Sequence, residues 1–446
     1  MKTKILVFIT LLIILLSGCT THAIKEDDIN KTVNTFLNFT CIKPILEFAY
    51  PKPELTLKNG NNLIQYSSKG NLTYKSLAKS TLIYKINNTP SEEYIEINSE
   101  SDSTTIEFDN VPDKITERIY KDNKLIKVSD VKNDALRMPS HEGLYRIELE
   151  CFWEKEDSES LEGELIYSFD FYYNMPSKFK ISSDSLQPGS NIIIHAENIK
   201  DSDTINVNTT LFNNTIEFYP EPYGYFAIIP IDGALTPMDY SITIESSEDN
   251  VKFEDTVTVL EREYETQHLY ISSSTLSLRS QENIEKNIET LTNSRDINNS
   301  SKTILWFEPF IVPSEGIITT EYYQIRYTNG NPTPRFHTGI DIAAPYNTPI
   351  LATNSGKVVV AEEMTLTGNT LVIDHGCGFF STYCHLNTMY FEPGENINRG
   401  NILGLMGSTG FSTGPHLHFE IFYNGVYLDP EFFYDKDPYR DSLIIK

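Results

Sequence analysis

Five of the nine histidines fall in the last third of the chain: His337, His375, His385, His416 and His418. Asp341 follows the first of them by four positions, in "FHTGIDIAAP". His416 and His418 lie in "GSTGFSTGPHLHFEI", with Leu417 between them and an apolar run behind. Side chains on a strand alternate with a period of two, so these two imidazoles share a face. A transition-metal hydrolase needs three protein ligands, usually imidazole and carboxylate, and an open position for water. Two imidazoles and one carboxylate can be drawn from His337, Asp341 and one of the paired histidines. The others then lie near the ion without binding it, and a neutral histidine there can take a proton close to working pH. Each piece alone has a plainer reading. An H-x-x-x-D pair recurs by chance, and two same-face histidines can be ordinary half-exposed strand residues. Their combination in this order, punctuated by glycine, is what singles them out.

Such residues need short strands and tight turns to hold them. The composition changes near Trp306, and glycine is concentrated beyond it. Gly394, Gly400, Gly404 and Gly407 suit the turns of a compact β-sheet or barrel-like domain over residues 305–446. Upstream, over residues 32–175, runs such as "STLIYKIN", "LYRIELECFW" and "LIYSFDFYY" alternate apolar and polar residues, as half-buried strands do. Residues 176–262 carry a second set, including "SNIIIHAENI", "GYFAIIPI" and "DYSITIESS". Both regions read as immunoglobulin-like β-sandwiches. Residues 263–304 differ, because "SQENIEKNIETLTNS" places Ile284, Ile288 and Leu291 at helical spacing. That stretch reads as a linker with a short helix. The fold class is mainly β: two sandwiches followed by a compact C-terminal sheet.

At 446 residues the chain is long enough for about two to four domains. Its formal net charge of −26 argues against nucleic acid as a partner and favours solubility. At the N-terminus Lys2 and Lys4 precede a short apolar run, Ile5 to Leu16, which is short for a bilayer span. It ends in Leu16, Ser17, Gly18 and Cys19, which resembles a bacterial lipobox. That resemblance implies a signal peptide over residues 1–18, a diacylglycerol thioether on Cys19 and a polar tether over residues 19–31. The chain is then attached to a membrane rather than spanning it. An exported protein can keep disulfides, and Cys41 and Cys151 lie in the same folded region, which makes them a candidate pair. Cys377 and Cys384 flank a hairpin out of register and read as free thiols.

From about Pro309 to Phe433 the order of motifs resembles the lysostaphin and LytM-type zinc endopeptidases of bacterial cell walls. The resemblance rests on "FHTGIDIAAPYNTPILATNSGKVVVA", "GNTLVIDHGCGFFSTYCHL" and "EPGENINRGNILGLMGSTGFSTGPHLHFEI". These carry H-x-x-x-D, Tyr-x-His-Leu and H-x-H in the family's order. The resemblance implies one zinc ion per chain, held by His337, Asp341 and His418. It assigns His385 and His416 as catalytic histidines outside the ligand set. His416 is then the base and His385 offers an N–H toward the developing oxyanion, or the two exchange roles, and His375 supports a turn. H-E-x-x-H is absent, which excludes the thermolysin arrangement.

The implied substrate is peptide in peptidoglycan stems or cross-bridges, and the implied location is the cell envelope, on the outer side of the cytoplasmic membrane or in the periplasm or outer membrane. An alternative is a non-catalytic member that binds wall or activates another hydrolase, but all five motif residues are present. One departure from the family pattern stands in "TTEYYQIRYTNG", where Tyr323 follows Tyr322 at a position that usually holds glycine. It places the local turn in question and leaves the ligands untouched.

Overall fold

The computed structural model describes residues 53–59, 62–64, 67–75, 81–88, 95–98, 104–132, 135–154 and 161–443. Cys19, Cys41 and the N-terminal segment lie outside the described residues. The chain divides into two compact units, with the division between Met175 and Pro176.

In the first unit the alternation seen in the sequence becomes a one-sided sheet. Along Gly143–Trp153 the residues Tyr145, Ile147, Leu149, Cys151 and Trp153 point inward. They lie opposite Phe171, Phe169, Tyr167, Leu165 and Gly163 of the neighbouring antiparallel strand. A three-stranded sheet supplies Leu55, Leu57 and Ile106 to the same core. Each such apolar side chain contributes ~1.5–3 kcal/mol on full burial. Cys151 is a fully buried free thiol within this core. Its proposed partner Cys41 is not among the described residues.

The second unit begins with two four-stranded sheets. Their inward residues, including Ile192, Ile194, Ile228, Ile242 and Val257, are buried. A large antiparallel sheet follows, with Ile340–Ala343, His416–Tyr423, Phe379–Met389, Gly368–Asp374 and Gly356–Met364 adjacent in that order. Sequence composition separates 176–262, 263–304 and 305–446, yet these stretches pack into one unit around a continuous core. Arg262 pairs with Asp429 at 2.8 Å. Asn214 donates to the Asn424 carbonyl at 3.0 Å, and Asn424 donates back to Thr215 O at 2.9 Å. His195 sits buried between Glu221 and the C-terminal Ser442, at 3.2 and 2.7 Å. Composition does not report such contacts, because they are made by scattered polar side chains.

Residues 263–304 hold more structure than a linker with one short helix. Thr266–Leu269 pairs in parallel with Ile325–Thr328. A short helix, Ser273–Ser277, leads to the longer Gln281–Ser294, whose N-cap Ser280 accepts from the Asn283 N–H. Leu291 is buried, but Ile288 is 59% exposed. The apolar stripe therefore does not simply seal a core.

The turn at Tyr323 is kept despite the missing glycine. Tyr323 has φ 61°, in the left-handed region where an ordinary side chain costs ~1–2 kcal/mol. Its ring stacks on Phe336 at 4.7 Å and meets Tyr264 at 4.9 Å. Its N–H donates to His337 O at 2.8 Å, so the turn also fixes the backbone of His337.

Candidate metal centre

Strand register brings the chemistry together. Asp341 lies directly opposite His418, and Ala343 opposite His416. Cys384 flanks His418 from the other side. Leu417 is wholly buried, so its neighbours His416 and His418 must face the opposite way. His337 precedes the strand Ile340–Ala343 and is held by Tyr323 and Gln324 through its backbone. Gly339, between His337 and the strand, must stay glycine, since a Cβ there would meet Phe419 O at 2.0 Å.

Three donor atoms converge on one point. His337 Nε2 is 3.0 Å from Asp341 Oδ1 and 2.9 Å from His418 Nδ1, and His418 Nδ1 is 2.9 Å from the same oxygen. The other nitrogen of each ring is already engaged. His337 Nδ1–H donates to Glu321 O at 2.9 Å, and His418 Nε2–H donates to Glu420 Oε1 at 3.0 Å. Those acceptors fix the tautomers and leave lone pairs at the meeting point. Two imidazole lone pairs and a carboxylate oxygen require a positive centre between them, either a proton or a metal cation. Burial alone would lower the His418 ring, but Asp341 and Glu420 outweigh it and raise it to about 9. For Asp341, burial would raise the carboxyl, yet the two histidines hold it well below the usual range. A divalent cation substitutes for the proton, as ligand chemistry requires. The donor set of two imidazoles and one carboxylate therefore fits zinc or a related ion.

The charges behind the ligands are paired. Arg326 forms an ion pair with Asp341 Oδ2. Glu420 accepts from Thr338 Oγ1 at 2.6 Å and pairs with Arg295 at 3.0 Å. Arg295 is almost fully buried at the end of the long helix, against the rings of Phe422 and Tyr427. Sequence reasoning missed Glu420, Arg295 and this role of Arg326. Glu420 had a signal, because it stands two residues after His418 and so shares its face. Arg295 had none, being a helix-end arginine 125 residues away.

His385 and His416 stand beside the donors with ring centroids 4.7 Å apart. His385 has φ 65° in the middle of a strand. The register of Phe379–Met389 against Gly368–Asp374 shifts there, so that Cys384 and His385 together oppose Thr370. This bulge turns the His385 ring toward the donors. It also breaks the simple alternation by which Tyr383, two residues earlier, would share a face with His385. Tyr383 is instead fully buried, accepting from the Thr353 N–H.

His385 Nδ1–H donates to Thr409 O at 2.7 Å, and His416 Nδ1–H donates to Gly414 O at 2.8 Å. Both rings therefore offer an Nε2 lone pair, not an N–H, to the site. The expected N–H of His385 toward an oxyanion is already spent on Thr409. Burial, then the neighbouring His416 and His418, push His385 down to about 3, so its ring is neutral.

The glycine-rich loop is pinned. Thr409 Oγ1 accepts from Asn369 N at 2.9 Å and donates to Leu386 O at 2.9 Å. Gly410 has φ 73° and passes so close to Gly368 that a Cβ would meet its nitrogen at 2.4 Å. His375 is away from the centre, fully buried between Ser355 O and Ser381 Oγ. Cys377 and Cys384 are buried free thiols.

The donors open into a cleft of about 670 Å³, within the range of ligand sites. One part of its lining is the strand wall with the donors, His385 and His416. The rest comes chiefly from residues between Gln267 and Arg295, from Arg335 and Phe336, from Leu366 and Thr367, and from loop residues 411–415.

The sequence profile described as peptidase family M23 matches residues 335–430. The chain is 39% identical over 89 residues to the peptidoglycan DD-endopeptidase ShyA of Vibrio cholerae, covering 20% of this chain and 21% of that one. It is 42% identical over 98 residues to the DD-carboxypeptidase/endopeptidase Mpg of Neisseria meningitidis, covering 22% and 23%. The chain thus spans a fifth to a quarter of the length of the curated relatives it matches. Among solved structures, the catalytic domain of lysostaphin from Staphylococcus simulans matches at 29% identity and a TM-score of 0.22, covering 31% of this chain and 96% of that one.

Proposed function

The C-terminal region carries a peptidase family M23 domain, and from that premise we propose that the chain is a zinc metalloendopeptidase cutting peptide bonds of peptidoglycan. The observation that carries this reading is the convergence of His337, Asp341 and His418, with each imidazole's second nitrogen already engaged. These three residues would hold the ion. When bound, it supplies Lewis acidity and brings the pKa of water toward neutrality. The names of the peptidoglycan DD-endopeptidase relatives supply the substrate class.

The chain's own residues do the rest. His416 Nε2, 3.9 Å from Asp341 Oδ1, takes the proton of the attacking water, and then passes it to the leaving amine. Gly414 O holds the ring in the tautomer that leaves this nitrogen free. His385, fixed by Thr409 O, accepts a hydrogen bond at Nε2 and orients the water. Arg326 holds Asp341 from behind, and Glu420 holds His418. Purified cross-linked wall incubated with the full chain, followed by mass spectrometry of the released ends, tests the reading. New amino and carboxyl termini at a peptide bond are expected. Intact cross-links, or cleavage only in the glycan, would overturn it.

Lipid attachment through Cys19 places the chain at the envelope, outside the cytoplasmic membrane. Among the described residues no helix is long and apolar enough to cross a membrane. Labelled fatty acid should enter the wild type and not Cys19→Ser. We further assign residues 32–175 as a spacer. Deleting them should impair wall digestion in cells and spare activity on soluble muropeptides. Residues 176–262 must be kept in that test, because they share a core with the catalytic sheet.

A further inference from the structure

The charged side chains lining the cleft are Arg279, Arg295, Arg326, Arg335, Asp341 and Glu420. Two ion pairs account for four of them: Arg295 with Glu420, and Arg326 with Asp341. Arg279 and Arg335 have no carboxylate partner among the described residues. Two uncompensated cations therefore remain in one cleft of a chain whose net charge is −26. With 62 acidic side chains available, an unpaired arginine is not a shortage of partners.

Arg279 is also placed rather than loose. It follows the short helix Ser273–Ser277, and its guanidinium lies over the Phe411 ring at 5.1 Å. Its Nε is buried with no hydrogen-bond partner, so the group carries a donor that the protein leaves unsatisfied. An unsatisfied buried donor costs ~1–3 kcal/mol. Phe411 belongs to the glycine-rich loop that runs into His416, so Arg279 is fixed against the element that carries the histidines. Arg335 is exposed, two residues before His337. Guanidinium groups present a planar fork that matches a carboxylate.

We propose that Arg279, assisted by Arg335, forms an anion subsite beside the metal centre that receives a free carboxylate of the substrate peptide. This deepens the reading given under Proposed function and rests on it for the reaction. It selects acidic stem peptides over neutral cross-bridges. Arg279 and Arg335 act as positioning residues. They bring an acidic peptide into register with the donors and repel none of its charge. The same field disfavours a peptide whose carboxylate is amidated, since its amide offers no charge to the fork.

Two fluorescent peptides test this, alike except that one carries a carboxylate and the other its carboxamide. Binding to the full chain is measured by anisotropy, and hydrolysis by chromatography, for the wild type, Arg279→Gln, Arg279→Lys and Arg335→Gln. The wild type should bind the carboxylate peptide more tightly than the amide by on the order of 10- to 100-fold. Arg279→Gln should remove most of that preference through KM, leaving kcat, metal content and amide binding unchanged. Arg279→Lys should restore part of it, and added salt should weaken it. Equal wild-type affinity for both peptides would overturn the subsite, as would an equal loss for both peptides in Arg279→Gln. Preference in binding without hydrolysis supports the subsite and sinks the enzymatic reading. Hydrolysis without preference does the reverse.

Discussion

The two walls of the cleft are built on different logic. The strand wall carries its chemistry in residue types at short spacing: His337 and Asp341 four apart, His416 and His418 two apart. Cross-strand register then closes the set, with Asp341 opposite His418. The helical wall, from Gln267 to Arg295, has no such pattern. Its part in the centre comes through one buried contact, Arg295 with Glu420, between residues far apart in sequence. A strand wall of this kind would hold an ion by its own donors. A helical wall of this kind can only tune the ligands from behind and shape what enters.

The comparison makes ordered predictions. Replacing a ligand, His337→Ala or Asp341→Ala, should abolish stoichiometric metal and lower wall digestion by ~10⁴-fold or more. Replacing His416 by Ala should lower activity by ~10²–10⁴-fold with metal retained, as suits a proton carrier outside the ligand set. Metal loss in His416→Ala would place that residue among the ligands and blur the strand wall's division of labour.

The helical wall should respond more weakly and in a different observable. Arg295→Met leaves the Glu420 carboxylate buried without its cation, a loss of ~3–5 kcal/mol in stability. Zinc affinity should fall by ~10–100-fold, measured by competition with a chelating dye, because Glu420 orients His418. An unchanged affinity would mean that the helical wall does not reach the centre.

The smallest effect concerns pH. His418 in the metal-free chain is raised to about 9 from an ordinary 6.5. A raised histidine stabilises the fold fully below its ordinary value and loses that contribution as pH rises through its folded value. The chelated chain should therefore melt at falling temperature between about pH 6.5 and 9. With zinc bound, the proton is displaced and this slope should largely vanish. Melting curves of His418→Ala, flat across the same window, would assign the slope to that ring. A persistent slope would assign it elsewhere.

Much of the strand wall was legible because its chemistry depends on residue type and local period. Five candidate positions could be named from H-x-x-x-D, Tyr-x-His-Leu and H-x-H in an order that resembles the lysostaphin and LytM-type endopeptidases, whereas residue type and period alone left open which of His416 and His418 joins His337 and Asp341. What escaped was geometry that no local pattern encodes. The bulge at His385 sends Tyr383 into the core, against the simple alternation of a strand. The hydrogen bond from His385 Nδ1–H to Thr409 O, which turns Nε2 and its lone pair toward the site, is made to a loop 24 residues further on. Tyr323 keeps a glycine-like turn because its ring packs between Tyr264 and Phe336. The stripe Ile284, Ile288 and Leu291 did mark a helix, but its apolar face is divided: Leu291 packs with Val360, Met364 and Phe422, while Ile288 stays exposed beside the cleft. The core that residues 176–262 share with the C-terminal sheet leaves no mark in composition, since interface residues there are ordinary in type.

The most direct test of the central claim is the metal content of the purified full chain, measured by plasma mass spectrometry beside its Asp341→Ala variant. One zinc per wild-type chain and essentially none in the variant is the predicted result. A wild-type chain that retains no metal after equilibration with zinc, or a variant that retains it equally, would contradict the account.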